Sequence, residues 1–181
     1  MRLLLIALTI VAVLAAGLAL FVWSGAYNVA ASEPHSAFVH WLFATVRDRS
    51  IAARSQSNEI HNLTDPDRVK GGIRSYQAMC RVCHGRPGEK STPIREGLNP
   101  QPPKLDSDRT RNRADAELFW IIKNGIRMTG MPAFGKTHKD EDLWSIVAFV
   151  RHLPNMRPEE YAAMVKEAGA EEAEPGAEHQ H

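Results

Sequence analysis

Cys80-Arg81-Val82-Cys83-His84 is the stretch on which the reading of this chain turns. A Cys-x-x-Cys-His run is the signature of c-type haem attachment. The spacing has a chemical reason: each thiol adds across a haem vinyl group to give a thioether. His84, next in sequence, is then set beneath the iron as the proximal ligand. Covalent attachment also lets a small domain use the haem as part of its core. Other uses of two cysteines fit less well. A thioredoxin-type redox pair needs a βαβ setting, and no strand pattern surrounds this one. A structural zinc site needs four ligands, and Cys80 and Cys83 are the only cysteines present.

Working downstream, a second axial ligand is expected from the far side of the ring. Gly130-Met131-Pro132 offers it, because Met131 sits in a Gly/Pro-rich loop free of helical constraint. A thioether there stabilises Fe(II) and raises the potential. Met128 lies three residues earlier and competes for the role, whereas Met79 abuts Cys80 on the proximal side. The ordinary reading of a methionine is core filler, but a position between glycine and proline in a polar loop argues against it.

The motif closes a helix expected from about Pro66 to Val82, with Val69, Ile73, Tyr76 and Cys80 near one face. A second helix is expected from Asp115 to Asn124, stopped by Asn124-Gly125, and a third from about Lys139 to Leu153, ended by Pro154. Thr137 with Asp140 resembles a capping box for the third. Gly85 to Arg113 reads as a long loop that needs a surface to pack on, which a prosthetic group would supply.

The flanks differ from this compact middle. Leu3 to Trp23 is an uncharged apolar run of 21 residues, enough to cross about 30 Å of hydrocarbon as a helix. A signal peptide cut after Ala31 is the competing reading. Glu33 to Arg54 reads as a helix with Pro34 in its first turn, and it could lie on a bilayer, pack on the domain or meet a partner. Charge divides sharply along the chain. Residues 65–157 hold 17 Lys+Arg against 11 Asp+Glu, and residues 158–181 hold one Lys against seven Glu. The expected division is therefore 1–24 transmembrane anchor, 25–64 juxtamembrane helix and linker, 65–157 haem domain, and 158–181 acidic tail. In that tail Glu159 to Ala168 has helical character and the rest is expected to be disordered.

Several residues invite a role and also have a plainer reading. His35, His40, His61 and His138 can ligate metals, but surface or interfacial placement accounts for them. Trp120 is a candidate donor to a haem propionate or simply a packed residue. Arg95, Lys104 and Arg127 are candidate propionate neighbours or solvated charges. His179 and His181 form a weak His-rich end.

With these residues in place, the chain resembles the class I c-type cytochromes, here membrane-anchored and carrying one haem. The resemblance runs from about Asp65 to Pro154. Gly72-x-x-x-Tyr76 is similar to the family's small-then-aromatic pair, which meets the last helix. Pro103-Lys104-Leu105 resembles its Pro-x-Leu, whose proline carbonyl accepts the proximal histidine N–H. The resemblance implies an all-α cytochrome c-like domain around one covalent haem c, preceded by a transmembrane helix. Cys80 and Cys83 would hold the haem, and His84 and Met131 would ligate the iron. The function implied is single-electron transfer by Fe(III)/Fe(II) cycling in a respiratory or dehydrogenase-linked chain, without enzymatic catalysis. Redox proteins and the membrane are the expected partners, with no nucleic acid or small-molecule substrate. The expected location is the bacterial cell membrane, single-pass, with the haem domain in the periplasm. Two alternatives stand beside this: a haem enzyme or sensor with an open or labile sixth site, and the cytochrome subunit of a larger oxidoreductase complex.

Overall fold

A computed structural model describes residues 1–55 and 61–170. Among them the regular structure is helical, with no strand. These residues form nine α-helices: α1 (Arg2–Ser24), α2 (Ala37–Arg54), α3 (Pro66–Ser75), α4 (Arg81–His84), α5 (Pro93–Gly97), α6 (Asp108–Arg111), α7 (Asp115–Asn124), α8 (Asp140–His152) and α9 (Pro158–Glu167). The chain divides into two compact units, Met1–Pro34 and His35–His181.

The first unit is dominated by α1. Its 23 residues span roughly 35 Å at 1.5 Å per residue. It buries no residue within the protein, has no charged side chain beyond Arg2, and ends on Gly25 in the left-handed region (φ 66°). Length and apolarity suit a membrane span or a signal segment.

The second unit is organised around α8. All seven residues Leu143, Trp144 and Ile146 to Val150 are buried, because the helix has apolar groups on more than one face and receives neighbours on each. α3 crosses it most closely. A Cβ on Gly72 would stand 2.7 Å from the Phe149 Cβ, so only glycine permits this crossing. Tyr76 then packs its ring 5.0 Å from that of Phe149. α7 packs on α8 as well, stacking Phe119 on Trp144 at 4.3 Å.

Three expectations are corrected by this arrangement: where the helix from Glu33 begins, how α8 is capped and what the long loop contains. The helix expected from Glu33 begins at Ala37, because Ser36 accepts the Val39 N–H and caps it. Of the placements open to this helix, packing on the domain is the one seen: α2 packs against α7, and Ile51 is 1% exposed. Its aromatic side chains Phe38, Trp41 and Phe43 remain exposed. At the other end α9 follows Arg157, where helical character was expected. Tyr161, Val165 and Ala168 of α9 and its C-cap join the core, and Tyr161 donates a 2.6 Å hydrogen bond to Gln77 Oε1. Only residues 171–181 of the expected acidic tail lie outside the described residues. The cap of α8 is Lys139, whose N–H is accepted by Asp142 at 3.3 Å, rather than Thr137 with Asp140. Finally, the long loop contains α5 and α6. Thr92 caps α5 by accepting the Arg95 N–H and donates to the Val82 carbonyl at 2.7 Å, which ties the loop to α4.

Candidate haem site

The helical run from Pro66 to His84 is not uniform. Between α3 and α4 it widens to a π-helical turn, Tyr76–Cys80, closed by the Arg81 N–H on the Tyr76 carbonyl. One extra residue in the turn rotates the downstream residues about the helix axis, and such turns recur at functional sites. Here it lets Tyr76 stay in the core while Cys80, Cys83 and His84 border a common cavity. The run stops at Gly85 (φ 77°), whose carbonyl accepts the Tyr76 hydroxyl at 2.7 Å.

His84 Nδ1 lies 2.8 Å from the Pro103 carbonyl oxygen. A carbonyl can only accept, so Nδ1 carries the proton and Nε2 keeps its lone pair for a metal. Burial lowers the His84 pKa, opposed by the Pro103 hydrogen bond and assisted by the Arg95 charge, which favours the neutral ligating form. Burial, with the neighbouring Cys83, pushes the Cys80 thiol up to about 12. Redox-active pairs depend instead on a stabilised thiolate. Both cysteines are free of disulfide.

The opposite wall is a loop. Asn124 ends α7 and Gly125 (φ 66°) turns the chain; a Cβ there would meet the Met131 carbonyl oxygen at 2.7 Å. That same carbonyl accepts the Ile126 N–H at 3.2 Å. The Met131 N–H is accepted by Thr129 Oγ1 at 3.1 Å, and the Thr129 hydroxyl donates to the Ile126 carbonyl at 2.7 Å. Met131 is therefore pinned on both sides of its α-carbon. Its side chain is half-buried, packs on the core and lines the cavity. Met128 has φ 60°, is 79% exposed and lies outside the cavity lining.

The cavity holds about 450 Å³, within the roughly 300–1,000 Å³ usual for cofactor sites. Leu118, Ile122, Ile146 and Val150 form its apolar floor, and Pro100, Pro102 and Pro103 close another side. Two thiols, an imidazole and a thioether therefore border one apolar space large enough for a prosthetic group. This donor set fits a covalently held haem, with soft and borderline ligands suited to iron. Among the described residues no group of three or more His, Cys, Asp or Glu forms a competing metal centre.

The other candidates separate by position. Arg95 lines the cavity and donates Nε–H to the Pro102 carbonyl at 3.0 Å. His40 lines it too. Lys104 borders a smaller pocket behind His84, and Arg127 is exposed away from both. His61 stacks on Trp144 at 3.9 Å, and His138 bonds Thr137. Trp120 is half-buried outside the lining. His179 and His181 lie outside the described residues.

Sequence reading missed Arg47, Arg109 and Arg113, which line the cavity and converge on Asp48. Arg47 belongs to α2, and Arg109 and Arg113 to the stretch around α6 more than 60 residues later, so no local pattern announces the cluster. Residues 67–150 match the family model described as cytochrome c oxidase, cbb3-type, subunit III.

Proposed function

We propose that this chain, whose residues 67–150 form a class I c-type cytochrome domain, carries single electrons between redox proteins, and that Cys80 and Cys83 would hold one haem and His84 and Met131 would ligate its iron. The observation that carries the reading is the shared cavity: the imidazole and the thioether border the same apolar space from different segments. When bound, the haem supplies an Fe(III)/Fe(II) couple. The protein's own residues hold the imidazole neutral and oriented through Pro103, present a thioether from a pinned loop, and exclude water with aliphatic side chains. A thioether ligand and a dry site both favour Fe(II) and so a higher potential. No acid, base or nucleophile is required for that task.

The surplus of Lys and Arg over residues 65–157 favours docking to an acidic partner, with rates that fall as salt rises. We read α1 as a retained anchor in the cell membrane, with the haem domain on the periplasmic side. A second reading, the cytochrome subunit of a larger oxidoreductase complex, is favoured by the description of the matching family as an oxidase subunit. The two share chemistry and differ in assembly.

The test is an optical spectrum of the purified protein in both redox states. The weak far-red band of Fe–S(Met) ligation is expected in the oxidised form and should persist with added cyanide at low concentration. An oxidised protein without that band that binds exogenous ligands at once would replace the carrier with a haem enzyme or sensor. Stoichiometric co-purification of other subunits in mild detergent would select the complex.

A further inference from the structure

The rim of the cavity carries an imbalance of charge. Among the described residues Arg47, Arg95, Arg109 and Arg113 line it, and no carboxylate does. Two carboxylates stand just behind this rim. Asp48 Oδ1 accepts from Arg47 at 2.9 Å and from Arg113 at 2.6 Å, and Arg109 stands 3.8 Å from Oδ2. Glu117 lies 3.7 Å from Arg113 and also accepts the Ala114 N–H. Four guanidinium groups against two carboxylates leave a net charge of two positive. Arg109 is beyond hydrogen-bonding distance of Asp48, so its fork of donors is not spent there. Burial, together with the neighbouring positive charge of Arg47, depresses its pKa, as expected where like charges crowd.

A surplus of this kind at the mouth of an apolar cavity suits a ligand bearing two carboxylates. Haem bears two, as its propionates. Carboxylates taken out of water need charged hydrogen-bond partners, and the planar arginine fork matches them two bonds at a time. We propose that Arg47, Arg109 and Arg113, gathered by Asp48, form the carboxylate site for the haem propionates, which makes α2 a wall of the cofactor pocket. Two of the four clustered residues, Arg47 and Asp48, belong to α2 and lie outside residues 67–150. The domain's cofactor site therefore extends into the segment that precedes it. The inference rests on the haem reading of the cavity.

The test uses the full-length protein with its haem, comparing Arg47→Gln, Arg109→Gln, Arg113→Gln and Asp48→Asn by reduction potential. Haem should stay attached in all four, because no thioether is touched. Each arginine variant removes a positive charge beside the cofactor, so its potential should shift downward. Asp48→Asn removes a negative charge and should shift it upward. Arg47→Lys and Arg113→Lys keep the charge and should fall between the glutamine variant and the wild type. A cluster that merely fastens α2 gives another pattern. Breaking it from either side would loosen the helix, admit water and lower the potential, so a downward shift in Asp48→Asn overturns the proposal. Unchanged potentials in all the glutamine variants overturn it as well. A wild type purified without haem would instead overturn the underlying reading, before any variant is compared.

Discussion

The two walls of the cavity are built on different principles. The proximal wall is one continuous helical run, Pro66 to His84, cross-braced at several points. Tyr76 bonds Gly85, Thr92 bonds Val82, and His84 bonds Pro103. Cys80, Cys83 and His84 fall within five consecutive residues. The distal wall is a turn of a few residues, from Gly125 to Pro132, offering one donor side chain. Its order comes from the short bonds among Ile126, Thr129 and Met131. On the proposed reading, one wall would retain the cofactor and the other would adjust the iron. Changes on the distal side would then retune the site without dismantling it, whereas changes on the proximal side would remove its foundation.

The comparison is broken most severely at the cysteines. Cys80→Ala with Cys83→Ala should abolish covalent attachment, seen as complete loss of haem staining on a denaturing gel and release of haem into acid–acetone. Haem that remains attached in the double variant would mean that the proximal wall is not the site of attachment.

A smaller effect is expected at the distal ligand. Met131→Ala should leave attachment intact, remove the far-red band, lower the reduction potential and admit small exogenous ligands. Met128→Ala should change stability by no more than about 0.5 kcal/mol, as for surface substitutions generally, and should keep the band. The reverse result would exchange the roles of the two methionines.

The smallest change sharpens the comparison. Thr129→Val deletes the hydroxyl that accepts the Met131 N–H and donates to the Ile126 carbonyl. Losing these bonds should cost about 1 kcal/mol in denaturant titration. It should also weaken the far-red band while leaving attachment unchanged. A full-strength band with normal stability would show that the Gly125 turn and Pro132 hold the loop without it.

How far the architecture was readable depends on how local each cause is. The three principal helices were legible, since Pro66, Gly125 and Pro154 punctuate clear apolar periodicity. The docking of α2 and α9 was not. α2 and α9 show mixed polarity, and their inward faces depend on one or two residues, Ile51 on one and Tyr161 with Val165 on the other. A helix that docks through so few side chains looks, in one dimension, like a solvated linker or tail. The π-helical turn was equally hidden, because nothing in Tyr-Gln-Ala-Met-Cys departs from ordinary helical composition.

By itself, then, the sequence determined the features confined to a short stretch of chain: the paired thiols with their adjacent imidazole, the methionine between glycine and proline, and the apolar run at the N-terminus. Such features need no partner to be recognised, because bond lengths and backbone dihedrals restrict which residues can serve. Tertiary structure alone decided what meets across the chain. It brought Asp48 to Arg113, 65 residues away. It also separated Met131 in the cavity from Met128 in solvent. Any aspartate can pair with any arginine, and any methionine can fill a core. Only the packing of α2, α7 and α8 around one apolar space makes the choice.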